Sequence, residues 1–221
     1  MMVKPAPRRK RKKRIKQDLP SRDQDRIMDS LLETAKILDN LNINWYLGHG
    51  AVLGALRNGD LLPYDRDIDI IIPADNLDIN AIINAFNSST NFKGTYSRND
   101  GHYRIIFHNP LKSPFNLINC LYFYRRYNDD FVTAKVKPVL SEEGIFILPS
   151  LLFKKKTYVT IRGHNFPTFT PVEMYLEWLY GEHWEIPDRR YGFRNFSAGR
   201  FRCVNRAKKD LPDIKRKYGV R

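Results

Sequence analysis

The run Tyr46-Leu47-Gly48-His49-Gly50-Ala51-Val52-Leu53-Gly54-Ala55-Leu56-Arg57 leads, past Asn58-Gly59-Asp60 and Pro63, to Tyr64-Asp65-Arg66-Asp67-Ile68-Asp69-Ile70-Ile71-Ile72. The pattern predicts a glycine-punctuated turn, a short apolar helix starting near Ala51, and then a strand. Alternate residues of a strand share a face. Asp67 and Asp69 therefore point one way, and Ile68, Ile70 and Ile72 point into a core. Two carboxylates side by side at the end of a buried strand repel each other, and a proton or a hard cation such as Mg²⁺ relieves the pair. An Asp-x-Asp spacing alone is common and fits a solvated strand end equally well. The turn upstream shifts the weighing. Gly48, Gly50 and Gly54 allow backbone to approach a ligand closely. The helix start at Ala51 aims unpaired N–H groups and a positive dipole end at an anion. A phosphate cradle and a metal pair in one short segment are what nucleotide-dependent transfer requires.

Gly50-Ala51-Val52-Leu53-Gly54-Ala55-Leu56-Arg57, with Leu62-Pro63-Tyr64-Asp65-Arg66-Asp67-Ile68-Asp69-Ile70, resembles the signature of LicD-type transferases. That family includes bacterial phosphocholine transferases and fukutin-related ribitol-phosphate transferases, within the nucleotidyltransferase (polymerase-beta-like) superfamily. Downstream, Phe166-Pro167, Pro171-Val172-Glu173-Met174-Tyr175-Leu176-Glu177, Tyr180-Gly181, Trp184 and Pro187 resemble the family's closing segment. The resemblance implies an α+β fold, a nucleotidyltransferase-like mixed sheet flanked by helices. It implies a phosphotransferase that moves a phospho-alditol or phosphocholine group from a CDP-linked donor to a glycan hydroxyl. In that scheme Asp67 and Asp69 hold Mg²⁺ or Mn²⁺, and Asp65 assists in or beside the metal shell. Gly48, Gly50, Ala51, Gly54 and Arg57 then bind the donor.

The chain departs from that pattern at three points. Ala51 stands where the family carries a hydroxyl residue. Arg66 replaces the middle of three acids. A third carboxylate is expected on a later strand, where the best positional candidate is Asn119, in Phe115-Asn116-Leu117-Ile118-Asn119-Cys120-Leu121-Tyr122. An amide can ligate a metal through its carbonyl oxygen but brings no charge and cannot act as a general base. These departures motivate a second reading: a catalytically eroded nucleotidyltransferase fold serving as an RNA-binding or structural subunit of a ribonucleoprotein.

The 221 residues suit one folded domain with tails. Three spans follow: a basic tail at 1–20, a LicD-like domain at 21–188 and a basic, aromatic extension at 189–221. Charge is unevenly spread, for of the net +14, residues 1–20 supply nine Lys or Arg against one Asp and 189–221 supply twelve against two. The body between them is mildly acidic. Basic ends point to RNA or another polyanion. Arg8-Arg9-Lys10-Arg11-Lys12-Lys13-Arg14 fits a nuclear-localisation or RNA-binding arm, and fits a solvated tail equally. The two cysteines, Cys120 and Cys203, make neither a disulfide framework nor a zinc spacing. No run reaches the length of a membrane span, and no apolar segment follows the basic start. The expected compartment is the reducing cytoplasm, with the nucleus or an organelle admitted by the basic N-terminus.

Along the chain, Ser21-Arg22-Asp23-Gln24 predicts a capping box opening a helix to about Asn40. Asn42 to Leu47 is expected as a strand, 75–87 as a helix, and 92–97, 102–108 and 115–124 as strands. Asn99-Asp100-Gly101 is a hairpin signal, and Asn109-Pro110 and Ser113-Pro114 mark loops. A hairpin over 155–161 and 165–169 is expected about Arg162-Gly163-His164, the region that the family resemblance marks as a short hairpin. Thr170 should cap a helix with Pro171 in its first position, ended by Gly181. A last helix is expected near 198–209.

Overall fold

The computed structural model describes residues 17–95, 102–107, 118–135, 145–187 and 204–220. The basic run 8–14, the hairpin signal at 99–101, the loops at 109–114 and the aromatic stretch 189–203 lie outside the described residues.

Helix α1 (Ser21–Asn40) buries Ile27, Met28, Leu31 and Leu38. Its expected capping box does not form: Pro20 is the N-cap, and Gln24 Nε2 donates instead to the Leu19 carbonyl at 3.1 Å. The helix closes on Asn42, whose φ is 53°. Asn42 N–H then donates to Asp39 O at 2.9 Å and Ile43 N–H to Leu38 O at 2.9 Å. This left-handed closure, in which the chain folds back on the last turn, consumes residues expected to be strand. Strand β1 is accordingly short, Tyr46–Leu47.

Next come α2 (His49–Asn58), β2 (Asp67–Pro73), α3 (Ile79–Ser88), β3 (Phe92–Thr95), β4 (His102–Phe107), β5 (Ile118–Arg126), β6 (Phe131–Lys135) and β7 (Ile145–Pro149). Helix α3 starts later than expected because Asp78 caps it, accepting from Asn80 N–H at 3.0 Å and Ala81 N–H at 3.3 Å. The strands form one mixed sheet in the order β1-β2-β5-β4-β3, with β6 paired to β5 and β7 to β6. The β2–β5 pairing is parallel and the others are antiparallel. Mixed sheet and flanking helices give the α+β class expected. Strands β6 and β7 have no counterpart in the sequence reading.

A separate hairpin, β8 (Lys156–Ile161) and β9 (His164–Phe169), turns through Arg162 at φ 50° and Gly163 at φ 82°. Two consecutive positive φ values match the twist of a two-residue hairpin. Arg162 also pins the turn, with Nε 2.7 Å from Asp60 Oδ1 and Nη1 2.7 Å from Asp25 Oδ1. Helix α4 (Val172–Tyr180) begins one residue later than expected, since extended Pro171 is its N-cap and Thr170 makes no cap. Met174, Tyr175, Leu176, Trp178 and Leu179 are fully buried in it. Helix α5 (Val204–Lys217) lies further along than the 198–209 expected; Ala207, Leu211 and Ile214 set its buried stripe. It is held to α4 through Glu177, which accepts from Lys217 Nζ at 2.7 Å and Tyr218 OH at 2.8 Å. No helix among the described residues is long and apolar enough to cross a membrane.

The end of α2 and the loop after it pack without room for a side chain at Gly54. A Cβ there would lie 2.5 Å from Asp60 O and 2.8 Å from Leu62 N, both backbone atoms. Gly54→Ala should therefore destabilise the fold by about 1–3 kcal/mol, the usual cost of overpacking, read as a lowered midpoint of urea unfolding.

Candidate functional site

Register builds the site. Parallel pairing sets Asp69 beside Cys120 and Ile68 beside Asn119. Neighbours in register share a face, so Asp67, Asp69 and Cys120 gather on one side of the sheet. One ligand atom from each lies within 4.8 Å of the other two. Asn119 is on the opposite side, buried under α1. Its Nδ2 donates to Thr34 Oγ1 at 2.7 Å and toward Ser30 O at 3.4 Å. The expectation that Asn119 supplies the third metal ligand is thus corrected. The third corner is the Cys120 thiol, one residue further along. Nothing local in the sequence separates the two positions, because their parity is fixed only by pairing with β2.

The start of α2 closes over this corner. Gly48 N–H donates to Asp69 O at 2.9 Å. A Cβ on Gly48 would meet Ile71 Cδ1 at 2.8 Å, Tyr175 OH at 3.1 Å and Asp69 O at 3.3 Å. Gly48 is therefore required for strand and helix to approach. His49 N–H donates to Tyr175 OH at 2.8 Å. His49 Nδ1 lies 3.1 Å from Asp69 Oδ2. The side chain of His49 thereby joins the acid pair.

Asp65 sits against the start of α2. A Cβ on Gly50 would fall 1.9 Å from Asp65 Oδ2. Gly50 thus makes room for the chain's own carboxylate at the amino end of α2, where negative charge is favoured. Asp65 is outside the Asp67–Asp69–Cys120 group. Ala51 is buried in the core. The expected donor-binding role of Arg57 meets a structural one: Nη2 donates to the Trp184 carbonyl and to Ile186 O at 3.1 Å, tying down the chain after α4.

The carboxylates stand against buried phenols. Burial first, and the charge of Asp69 among the lesser causes, push Tyr122, Tyr124 and Tyr175 above their ordinary value. Asp69 Oδ1 is a buried atom with no hydrogen-bond partner among the described residues. An unsatisfied buried carboxylate oxygen is costly, and a bound cation satisfies it. The donor set fits Mg²⁺ or Mn²⁺, which bind through one or two carboxylates and fill their remaining positions with water and substrate phosphate. The thiol is a softer ligand than those ions prefer.

Comparison with known proteins gives a family. The model of the LicD/FKTN/FKRP family, nucleotidyltransferase domain, matches residues 42–168. That is more than half of the chain, and the protein belongs to this family of LicD-type transferases. The fold is similar to an antigenic nucleotidyltransferase-like protein from Paracoccidioides brasiliensis, with TM-score 0.45, 18% identity, and 90% of this chain and 95% of that one covered. The solution structure of the antibiotic-resistance factor ANT(2'')-Ia gives TM-score 0.45 at 12% identity, covering 89% and 92%. A putative nucleotidyltransferase from Thermotoga maritima gives 0.38 at 17% identity, covering 66% and 78%. No curated protein sequence matches.

The phenols set an alkaline limit. Each has a folded-state pKa above the ordinary value of 10.0. A raised pKa contributes stability that is fully present below the unfolded value and is lost as pH climbs toward the folded one. Urea midpoints measured from about pH 8 to about pH 11 should hold until pH 10 and then fall. Tyr124→Phe should flatten that fall.

Proposed function

We propose that the protein is a divalent-metal-dependent phosphotransferase of the LicD type. It moves a phospho-alditol or phosphocholine group from a CDP-linked donor to a glycan hydroxyl. The observation that carries this reading is the grouping of Asp67, Asp69 and Cys120 within 4.8 Å, in a chain whose family is LicD. Asp67 and Asp69 hold Mg²⁺ or Mn²⁺. The bound cation supplies charge neutralisation for the donor phosphates and aligns them. The two carboxylates would hold the cation, and the buried phenols of Tyr122, Tyr124 and Tyr175, near enough to feel the charge of Asp69, give that carboxylate a poorly hydrated setting.

Thermal unfolding with CDP-linked donors and simple nucleotides tests it. A ligand at a hundred times its Kd stabilises the fold by about 2.7 kcal/mol. For a chain of this size that raises the Tm by roughly 5–10 °C. The rise should require Mg²⁺ or Mn²⁺ and should vanish, together with transfer, in Asp67→Asn. An Asp67→Asn protein that keeps both refutes the reading.

A second reading has its own support. Neither Asn119 nor Cys120 brings a third negative charge to the sheet, and α5 presents exposed Lys208, Lys209 and Arg216 outside its buried stripe. On this reading the fold is an eroded transferase that binds RNA or another polyanion through residues 1–20 and 189–221. Cys120→Asp separates the two. In an active enzyme it modifies a metal affinity that the unmutated chain already has; in an eroded one it creates an affinity where none existed. The eroded form should also bind RNA with a steep salt dependence.

A further inference from the structure

His49 has a backbone conformation that side chains rarely adopt, with φ of 45°. The other described non-glycine residues with positive φ are Asn42, Asn76 and Arg162. Asn42 closes α1, Asn76 sits in a surface turn and Arg162 makes the hairpin turn. His49 is different: it is 5% exposed and lies at the junction of the site's strand and helix. Residues held in such conformations persist where their surroundings over-determine them.

The surroundings here are specific. Tyr175, from α4, accepts the His49 N–H at 2.8 Å. The imidazole stands edge-on to Tyr122 of β5, centroids 5.4 Å apart, and to Phe146 of β7 at 6.3 Å. Those rings fix its plane. Its Nδ1 is then 3.1 Å from Asp69 Oδ2, in reach to donate a proton to it. One oxygen of Asp69 is engaged in this way. The other, Oδ1, is buried and has no hydrogen-bond partner among the described residues.

We infer that His49 is a positioning residue for the metal carboxylate. Its Nδ1–H clamps Asp69 Oδ2, and the clamp decides that Oδ1 is the oxygen presented to the cation. Tyr175 holds the backbone turn that lets the imidazole reach. Helix α4 thereby acts on the acid pair through His49. Groups that orient a metal ligand in this way are worth about 10–100-fold in metal affinity. The inference rests on the reading that Asp67 and Asp69 bind a divalent ion.

The test is Mn²⁺ affinity of the full chain, measured by electron paramagnetic resonance titration, with melting temperature followed in parallel. His49→Phe keeps an aromatic ring against Tyr122 and Phe146 but removes the donor; it should weaken Mn²⁺ binding about 10–100-fold. His49→Gly relieves the backbone and also lacks the donor; it should weaken binding as much. His49→Asn tolerates positive φ and keeps an amide donor near the Nδ1 position; it should restore affinity to within a few-fold. Phe and Gly variants that bind Mn²⁺ like the unmutated protein overturn the inference, as does an Asn variant as weak as Phe. Unmutated protein that takes up no Mn²⁺ overturns the cation reading itself, a result distinct from the other two.

Discussion

The parallel pairing of β2 with β5 is the constraint on which the rest of the site depends. It joins two segments far apart in the chain, and a parallel pair cannot be closed by a tight turn. Its register sets Asp69 beside Cys120 and Ile68 beside Asn119. A slip of one residue would exchange every side chain between faces. The acids would then face the buried helix α1, and isoleucines would line the site. Such a slip is opposed on both sides. Ile68, Ile70 and Ile72 are essentially inaccessible to solvent, and Asn119 is fixed by Thr34 of α1. The amide that carries no metal therefore still serves the site, because it holds the register that brings the acids together.

Helix α4 is the second organiser, through neighbouring residues that do different things. Tyr175 accepts the His49 N–H at the acid pair. Trp178 Nε1 donates to Ile147 O at 2.9 Å and so secures β7. Glu177 receives Lys217 and Tyr218 and so secures the end of α5. Arg57 joins from α2, donating to carbonyls just beyond α4. The two segments that resemble LicD signatures at the sequence level are thus bonded to each other in space. Arg57 illustrates the economy of that arrangement: a side chain suited to phosphate binds backbone carbonyls and closes the ends of the motif together.

Features encoded over a few neighbouring residues were legible in the sequence. The alternation Asp67-Ile68-Asp69-Ile70 gives β2 and its polar face, while the hairpin about Arg162-Gly163 is marked by the family resemblance. The apolar spacing from Ile27 to Leu38 gives α1. What could not be read depended on partners elsewhere. Ser21-Arg22-Asp23-Gln24 has the form of a capping box, but Leu19 N–H reaches Pro63 O and draws the helix start to Pro20. Asn42 and Ile43 have strand-like company, yet they finish α1. Cys120 and Asn119 differ by one position, and the choice between them belongs to β2. Gly48 and Gly50 read as room for a ligand; in the fold that room is taken by Tyr175, Ile71 and Asp65. His49 gave no signal beyond lying in a turn.

The position of Asp65 bears on the order of events in the proposed reaction. Its carboxylate lies over Gly50, at the positive end of α2. That end therefore already has an anion. A donor phosphate drawn to the same place meets like charge, and two unit charges 4 Å apart near a protein surface repel by about 4 kcal/mol. That is more than a helix terminus offers in return, about 0.3–2 kcal/mol. Helix α2 alone is a poor phosphate cradle in this chain. The balance would change with a divalent ion on Asp67 and Asp69, because the charge of the three carboxylates Asp65, Asp67 and Asp69 would fall from −3 to −1 and the ion itself would offer the phosphate oxygens a direct partner. On the proposed reading the acid pair comes first and the cradle second. On that same reading the carboxylates of Asp67 and Asp69, placed by β2 and β5, would be what makes the helix end available to a phosphate.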